Sequence, residues 1–325
     1  MTPSSDNWPK IAVVGAGAVG GYFGGLLARA GAPVVMIGRP AFVEAVRTAG
    51  LVLDTASFRE VIRVDVSTEI SAVRGAVLVL FCVKSGDTTS VARELAQFVA
   101  PEAVVLSLQN GVDNVDRIRE VSGLAALATV VYVAASTPET GTVRHVGGGN
   151  LVLGPPGAGT EFIARMFERA GVPCRISENI RGELWAKLVA NGALNAISAL
   201  GRSRYGQIAE NSEARVLVRA VVDEICAVAR AAGIVMPGMA DTEAAYASVM
   251  AIATKMGATA LSSTAQDVER GRRTEIDALN GYVARRAAEF GVPAPLNHAL
   301  WTLVKLMEAG LEARLPQSPS ATSVT

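Results

Sequence analysis

The feature that most constrains the fold of this chain is a group of three glycines in the spacing G-x-G-x-x-G. They are Gly15, Gly17 and Gly20. The apolar segment Ile11–Val14 predicts a buried strand before them, and residues 18–30 follow with a helical pattern that Gly31 ends. A second apolar segment, Val34–Ile37, predicts the next strand. This order predicts a β-α-β unit with a glycine-rich turn at the helix N-terminus.

Each glycine of this turn has its own physical use in a loop that holds phosphate. Gly15 permits the tight turn, Gly17 lets the backbone approach a pyrophosphate, and Gly20 allows the helix to pack closely on the strand. The helix N-terminus adds amide donors and a dipole that favours an anion. A merely flexible loop is the alternative, but the flanking strand and helix favour dinucleotide binding. The predicted phosphate loop comprises Gly15, Ala16, Gly17, Ala18, Val19 and Gly20.

The residue at the end of the second strand predicts which dinucleotide is bound. About twenty residues after the glycine turn, an acidic side chain usually accepts a hydrogen bond from the ribose 2'-hydroxyl of NAD. This chain has Arg39 there, and no acidic residue follows before Glu44. A guanidinium pairs with a 2'-phosphate that a carboxylate would repel. We therefore expect NADP; the alternative is that Arg39 is a solvated loop side chain.

Further apolar runs extend the predicted sheet. Residues 77–83 and 104–108 predict two buried strands that continue it in parallel. The helical patterns between and after them cover residues 88–98 and 114–121. Two short alternating segments, Leu51–Asp54 and residues 61–66, predict a hairpin on the edge of the sheet.

The last part of the first domain is predicted to be more broken. Residues 130–154 predict three short strands, because turn-forming residues interrupt the pattern. The interrupting residues are Pro138, Gly141 and the glycines at 147–149. A helix over residues 161–170 then completes an N-terminal Rossmann-type, doubly wound α/β domain over residues 1–178.

From Asn179 onward the pattern is helical almost without interruption. The predicted helices cover Ile180–Leu200 and residues 213–232, 242–255 and 274–290. Thr274 with Asp277 resembles a capping box, and Gly291 marks a helix end. We predict an all-helical C-terminal domain over residues 179–314, and a disordered tail over residues 315–325 from its Ser, Thr and Pro content. Two domains of this kind predict a cleft between them.

The charge balance and the few cysteines and histidines exclude several kinds of partner. Thirty basic side chains balance thirty acidic ones, so no global field draws the protein to nucleic acid or an anionic membrane. The three cysteines are Cys82, Cys174 and Cys226. They lack metal or redox spacing, which favours a reducing compartment, and we expect the cytoplasm. His145 and His298 are too far apart in sequence for an ordinary zinc site, so we predict no metal.

Residues 11–28 carry no charge and are nearly long enough to span a bilayer. Six glycines crowd this stretch, however, and the residues before it contain proline and an acidic side chain rather than a basic n-region. We therefore expect neither a signal peptide nor a membrane anchor.

Two polar residues follow predicted strands directly. Lys84 comes after the run 77–83, and Asn110 comes after the run 104–108. Ligands of open α/β sheets bind at the carboxyl ends of the strands, which favours a role in binding. From position alone, Asn110 with Gly111 could equally form only a turn, and Lys84 could be only a surface charge.

The predicted helix Ile180–Leu200 carries a polar stripe through apolar surroundings. The residues of the stripe are Lys187, Asn191, Asn195 and Ser198. Their spacing of three or four residues places them on one face of the helix. A solvated face is the alternative, but exposed faces use Glu, Lys and Arg more often than repeated asparagine. A pocket wall explains the stripe better.

A second polar stretch lies further along the chain. Ser262 and Ser263 begin it, and Glu275 follows two arginines and a threonine. Taken alone, the serines could cap a helix, and the glutamate could favour the N-terminal dipole of its own helix.

Five motifs occur together and in order. They are GAGAVG at 15–20, VKSGDT at 83–88, LQNGVDN at 108–114, ELWAKLVANGALNAIS at 183–198 and SSTAQDVERGRRTEIDALNG at 262–281. With these motifs the chain resembles the ketopantoate reductase (2-dehydropantoate 2-reductase) family over nearly all of positions 10–310.

This resemblance implies particular roles for the residues singled out above. Lys187 of the W-x-K-L motif is implied to be the proton donor, and Glu275 of the T-E-I motif to contact substrate and cofactor. The residues implied to bind or orient substrate are Asn110, Asn191, Asn195 and Ser263, and those implied to serve the cofactor include Arg39, Lys84 and Asn110. There are two small departures from the family pattern: Ala196 stands where many members carry proline, and Gly192 stands where a small side chain is more usual. Neither removes a catalytic group.

The chemistry agrees with these implied roles. Hydride addition to a ketone leaves an alkoxide, and a lysine ammonium supplies both the charge and the proton that it needs. We expect NADPH-dependent reduction of 2-dehydropantoate to (R)-pantoate, in pantothenate and coenzyme A synthesis. One alternative is a reductase or dehydrogenase of another 2-oxo acid. A non-catalytic NADP-binding sensor is another, which the intact Lys187 and Glu275 disfavour. The helical domain could bury apolar surface in a homodimer, but no heptad pattern requires one.

Overall fold

The computed structural model describes residues 8–257 and 260–312. The chain divides into two compact units, Met1–Leu184 and Trp185–Thr325. The predicted boundary was between residues 178 and 179, so the first unit also includes the first turn of the helix Ile180–Leu200. The predicted disorder of residues 315–325 concerns a segment outside the described residues.

The first unit is built on one mixed sheet. Its strands are β1 Ile11–Val14, β2 Val34–Ile37, β3 Leu51–Asp54, β4 Arg59–Ile62, β5 Asp65–Ser67, β6 Leu78–Phe81, β7 Val104–Ser107, β8 Ala126–Ser136, β9 Thr142–Gly154 and β10 Cys174–Ile176. They lie in the order β4-β3-β9-β8-β7-β6-β1-β2-β5, and β10 pairs with β9. The strands from β8 to β5 are parallel neighbours, with β1 between β6 and β2. The predicted Rossmann-type sheet is confirmed.

Helices cover both faces of this sheet. They are α1 Ala18–Arg29, α2 Pro40–Ala49, α3 Thr88–Leu95, α4 Asn114–Ser122 and α5 Ala158–Arg169. Within β1, Ile11 and Val13 belong to one apolar cluster, whereas Ala12 and Val14 belong to another. Because side chains alternate across a strand, a strand that is apolar at every position must be buried on both faces. This is why unbroken apolar runs predicted the central strands correctly.

The edge of the sheet differs in part from the prediction. A hairpin at the edge is confirmed, because β3 and β4 pair antiparallel and β4 is an edge strand. Its second strand is Arg59–Ile62 rather than the predicted residues 61–66, and Asp65–Ser67 pairs with β2 at the opposite edge of the sheet. The three short strands predicted over residues 130–154 are wrong, since two long antiparallel strands, β8 and β9, occupy this region. Gly148 and Gly149 adopt positive φ angles of 72° and 112° where the register of the two strands shifts. They accommodate an irregularity inside a continuous strand instead of ending it.

In the second unit the described residues form helices and connecting segments without a strand, which confirms the all-helical prediction. The helices are α6 Ile180–Leu200, α7 Tyr205–Glu210, α8 Ser212–Ala231, α9 Thr242–Met256, α10 Ser263–Glu269, α11 Asn280–Phe290 and α12 Pro295–Glu312. None of the helices in the described ranges combines the length and the apolar character needed to cross a lipid bilayer.

The capping box predicted at Thr274 and Asp277 is wrong. Residues Ile276–Ala278 form a short 3₁₀ helix, and α11 begins only at Asn280. The Asp277 carboxylate instead accepts hydrogen bonds from Trp301 Nε1 at 2.7 Å and Lys305 Nζ at 3.0 Å. Both partners lie on α12, which the sequence did not predict. A tertiary ion pair therefore replaces the local cap. The predicted helix end is confirmed, because Gly291 ends α11 in the left-handed conformation.

Candidate functional site

The glycine turn after β1 has the geometry of a phosphate-binding loop. Gly15 has a φ of +99°, and a Cβ there would lie 2.7 Å from the carbonyl carbon of Cys82. A Cβ on Gly20 would overlap the carbonyl oxygen of Gly15. A Cβ on Gly17 would meet no described atom within 4 Å. The first and third glycines are therefore required by close packing, whereas the space at the second is open to an approaching ligand.

The N-terminus of α1 is available to an anion. Its N-cap residue is Gly17, which has no side chain to cap the first turn, and that turn contains no acidic residue. The amides of Gly15 and Ala16 donate to the carbonyl of Ile37 at 3.1 and 3.2 Å, which holds the loop against the end of β2. The first-turn amides of α1, beginning at Ala18 and Val19, thus fit a pyrophosphate group.

Arg39 lies beside this loop. It is exposed, follows β2 after a single glycine, and is the N-cap residue of α2. A Cβ on Gly38 would lie 3.2 Å from the Cβ of Ala16, so the backbone leading into Arg39 contacts the glycine turn. The guanidinium is therefore at the end of β2, where the ribose of a dinucleotide is recognised in this kind of sheet.

Lys84 and Asn110 lie at the same edge of the sheet. Lys84 follows β6 and is exposed, and Asn110 follows β7 and is partly buried. The amide of Cys82 donates to the carbonyl of Val14 at 2.8 Å, which joins the end of β6 to the end of β1. The neighbouring strands β7, β6, β1 and β2 thus each carry one predicted cofactor residue or loop at their carboxyl ends.

The polar stripe of α6 changes in exposure along the helix. Lys187 and Asn191 are partly exposed, whereas Asn195 and Ser198 are only 2% and 0% exposed. Ser198 Oγ donates to the carbonyl of Ser203 at 2.7 Å and accepts from the amide of Ser262 at 3.4 Å. Ser198 therefore links the segments that follow α6 and precede α10, and the accessible part of the stripe is its Lys187 end.

The structure brings Asn195 and Ser263 together. Asn195 Nδ2 donates to Ser263 Oγ at 3.4 Å. Its other amide atom, Oδ1, accepts a hydrogen bond from Tyr205 Oη at 2.9 Å. Burial raises the pKa of Tyr205 to about 12, so the phenol stays protonated and donates. Tyr205 therefore orients the Asn195 amide with its NH₂ group towards Ser263.

Tyr205 was not among the residues singled out from the sequence. It is the first residue of α7, and nothing in its local pattern points to Asn195, which lies ten residues earlier on another helix. Only the return of the chain after α6 brings the two side chains together.

Lys187 and Glu275 interact electrostatically. Burial lowers the pKa of Lys187 from its ordinary value of 10.5 to about 8, and the negative charge of Glu275 opposes that change. Glu275 is partly buried and precedes the 3₁₀ helix Ile276–Ala278. The segment is held in place because the amide of Thr274 donates to Glu308 Oε1 at 2.6 Å. Two residues 88 positions apart in sequence therefore form one ionisable pair.

One of the two departures from the family pattern, Gly192, is explained by packing. A Cβ on Gly192 would lie 2.8 Å from Ile225 Cδ1 of α8, so the glycine allows close approach of α6 and α8. The carbonyl of Gly192 accepts a hydrogen bond from the buried Asn280 Nδ2 at 2.9 Å. Ala196 is fully buried. Nothing in the structure explains why alanine rather than proline stands there.

Over residues 8–257 and 260–312, no cluster of three or more His, Cys, Asp or Glu side chains has an arrangement that could hold a metal ion. Cys82, Cys174 and Cys226 are all free thiols. In the first unit, the candidate binding groups are the glycine loop and its neighbours Arg39, Lys84 and Asn110. In the second unit, they are the Lys187–Glu275 pair and the polar side chains of Asn191, Asn195 and Ser263.

Comparison with known families agrees with this geometry. A family model described as ketopantoate reductase PanE/ApbA matches residues 11–157, and one described as ketopantoate reductase PanE/ApbA C terminal matches residues 179–308. The chain belongs to the ketopantoate reductase PanE/ApbA family. It is accordingly an oxidoreductase on a dinucleotide-binding fold.

Individual relatives match over nearly the whole chain. A 2-dehydropantoate 2-reductase from Pyrococcus horikoshii is 32% identical and covers 92% of this chain and 98% of the relative. The relative of that name from Halobacterium salinarum is also 32% identical, over 92% of this chain and 99% of its own length.

Solved structures with this fold superpose closely on the chain. A PanE/ApbA family ketopantoate reductase from Ralstonia eutropha is 45% identical, with a TM-score of 0.87 over 93% of this chain and 99% of that structure. A D-mandelate dehydrogenase, solved with NADH and anilino(oxo)acetate, is 24% identical and has a TM-score of 0.85 over 93% of this chain and 99% of that structure. The second comparison shows that the fold is shared.

Proposed function

We propose that this protein reduces 2-dehydropantoate to (R)-pantoate with NADPH, in pantothenate and coenzyme A biosynthesis. The observation that carries the proposal is the Lys187–Glu275 pair, in which a partly buried lysine on α6 has a pKa near 8. A general acid is most effective when its pKa lies near the working pH. The names of the relatives, 2-dehydropantoate 2-reductase, supply the substrate.

Lys187 is the proposed proton donor. When bound, a reduced nicotinamide would supply a hydride to the keto carbon and become oxidised, which would leave the keto oxygen in need of a proton. The Lys187 ammonium stabilises the negative charge that develops on that oxygen and donates a proton from Nζ. Since its pKa is about 8, the amine is mostly protonated near neutral pH and still gives up its proton readily.

Neutral side chains are proposed to hold the substrate. Asn191 and Asn195 lie on the same helix as Lys187, and Ser263 accepts a hydrogen bond from Asn195. Asn110 is also a proposed substrate contact. Amide and hydroxyl groups can bind both the carboxylate and the hydroxyl of a hydroxylated 2-oxo acid. The orientation that Tyr205 imposes on Asn195 makes its NH₂ group the donor on the Ser263 side.

Glu275 has a different proposed role. A carboxylate would repel the carboxylate of the substrate, so we assign Glu275 to the substrate hydroxyl, the cofactor ribose or Lys187. The electrostatic coupling to Lys187 supports the last of these. By this coupling Glu275 keeps the pKa of Lys187 from falling further.

The proposed cofactor is NADP rather than NAD. The residues present fit a dinucleotide, because Gly15 and Gly20 form the tight turn and the first turn of α1 is left without a side-chain cap. Arg39 stands where a carboxylate would select NAD, and Lys84 adds a second positive charge at the same edge of the sheet. The guanidinium of Arg39 favours the 2'-phosphate of NADP, and Lys84 is assigned to the cofactor without a choice between the two dinucleotides.

The test is an assay of NADPH oxidation with each of a panel of 2-oxo acids. The rate is measured as the decrease in the near-ultraviolet absorbance of NADPH. We expect 2-dehydropantoate to give the highest kcat/KM, and NADPH to be preferred over NADH. A higher kcat/KM with another 2-oxo acid would replace the proposed substrate on the same scaffold. Absence of turnover with every member of the panel would contradict an enzymatic role and favour a sensor.

A further inference from the structure

A network of hydrogen-bonded, buried polar side chains connects the loop that carries Lys84 with the loop that carries Asn110. These loops follow the neighbouring parallel strands β6 and β7. The side chains of this network belong to Thr88, Ser107, Gln109 and Asn114, which are 0%, 4%, 6% and 3% exposed. Buried polar groups at this depth are stable only when they are hydrogen-bonded, so their bonding pattern is informative.

Gln109 lies at the centre of this network. Its Nε2 donates to the carbonyl of Val83 at 3.0 Å and to Thr88 Oγ1 at 2.8 Å. Its Oε1 accepts from Ser107 Oγ at 3.0 Å. Val83 immediately precedes Lys84, and Gln109 immediately precedes Asn110. One side-chain amide therefore ties together the backbones of both loops.

The network of hydrogen bonds continues from Thr88 to the backbone of Asn110 itself. Thr88 Oγ1 donates to Asn114 Oδ1 at 3.2 Å, and Asn114 Nδ2 donates to the carbonyl of Asn110 at 2.7 Å. The same carbonyl accepts from Ser85 Oγ at 2.9 Å. The bonds thus start beside Lys84, pass through Gln109 and return from Asn110 to the residue after Lys84.

The direction of these bonds requires an amide at position 109. A backbone carbonyl can only accept, so the group that faces Val83 must donate, and Thr88 has already used its proton on Asn114. A carboxylate at this position would place negative charge against the Val83 carbonyl, and an apolar side chain would leave that carbonyl without its bond. Glutamine supplies two donors and one acceptor in the required places.

We propose that Gln109 is a positioning residue for the cofactor, which holds the Lys84 and Asn110 loops in the geometry that binds the dinucleotide. This inference rests on the proposed function, because Lys84 and Asn110 must themselves be cofactor contacts. Gln109 is buried and acts through the backbone of its neighbours.

The test is the Kd of NADPH, measured by fluorescence titration without the oxo acid, for Gln109→Glu and Gln109→Leu. We expect both variants to bind NADPH about tenfold more weakly, because displacement of contact groups by a fraction of an ångström is costly. At saturating NADPH and substrate, kcat should stay within about threefold of wild type, because Lys187 is unaltered. Thermal melting identifies any variant that has not folded.

A pH series on Gln109→Glu separates positioning from a general loss of stability. A buried carboxyl favours its neutral form, and the neutral form has one O–H donor for the Val83 carbonyl or Thr88. The ratio of the variant's Kd to the wild-type Kd should therefore decrease as the pH is lowered to about 5, because one of the two lost donor bonds is restored. A ratio that does not change with pH would contradict the hydrogen-bond mechanism.

Thr129→Val is the matched control. Thr129 is buried and lines the same small cavity as Gln109, but its Oγ1 has no hydrogen-bond partner among the described residues. This variant should bind NADPH as wild type does, because no bond is lost. Weakening equal to that of Gln109→Glu would show a nonspecific packing effect and overturn the inference.

Lys84→Ala distinguishes failure of the positioning role of Gln109 from failure of the proposed cofactor site. If Lys84→Ala weakens NADPH binding while folded Gln109→Glu and Gln109→Leu bind normally, the positioning role is refuted and the proposed function stands. If neither Lys84→Ala nor Arg39→Ala weakens binding, the proposed cofactor site itself fails, and the inference fails with it.

Discussion

The lowered pKa of Lys187 leads to a specific pH dependence of catalysis. The proposed proton donor must be protonated, so the rate of reduction should be highest below its pKa and fall above it. With a pKa of about 8, the protonated fraction is about 90% at pH 7 and about 10% at pH 9. An ordinary lysine of pKa 10.5 would remain more than about 95% protonated at pH 9. We therefore expect kcat/KM to fall about tenfold between these two pH values.

The assay is the initial rate of NADPH oxidation at saturating NADPH and low 2-oxo acid, measured across this range. The substrate carboxylate is ionised throughout, so it adds no inflection there. Lys187→Arg is the control, because a guanidinium stays protonated across the whole assayed range and any residual activity should lose the inflection. A wild-type kcat/KM that remains level up to about pH 10 would refute the assignment of Lys187 as a desolvated proton donor.

Four further outcomes are expected. Lys187→Ala should lower kcat by about 10²- to 10⁴-fold, while the Kd of NADPH stays nearly unchanged, because the amine acts on the oxo group. Lys187→Met should raise the free energy of unfolding by roughly 1 to 3 kcal/mol near pH 7, measured by urea denaturation, because a pKa lowered from 10.5 to about 8 reflects a costly buried charge. Arg39→Ala should raise the KM for NADPH about tenfold or more and change that for NADH little, as measured in parallel kinetics. Tyr205→Phe should raise the KM for the oxo acid several-fold with a smaller change in kcat, because Asn195 loses the bond that fixes its amide.

Each of these outcomes has a result that contradicts it. A large rise in the Kd of NADPH for Lys187→Ala would indicate a cofactor role instead. The gain in stability of Lys187→Met should vanish as the pH rises above 10.5, because the lysine is then neutral in both the folded and the unfolded state; a gain independent of pH would exclude desolvation as its cause. Equal effects of Arg39→Ala on NADPH and NADH would exclude recognition of the 2'-phosphate. An unchanged KM for Tyr205→Phe would mean that Asn195 does not need its partner.

Local patterns predicted the elements that depend on residues close in sequence. The strand β1, the glycine turn and α1 were predicted correctly because apolar runs and helical periodicity act within a few residues. The helix Ile180–Leu200 was predicted with its exact bounds for the same reason. The continuous strand β9 was missed because its interior glycines resemble turn signals when read alone.

The sequence by itself therefore determined the dinucleotide fold, the placing of Arg39, Lys84 and Asn110 at strand ends, and the shared helix face of Lys187, Asn191 and Asn195. These features follow from the periods of strands and helices, which are local properties of the chain. Only the tertiary structure decided the pKa of Lys187, the orientation of Asn195 by Tyr205 and the bonds of Gln109. Each of these depends on burial or on partners from other elements, and neither can be read from spacing along the chain.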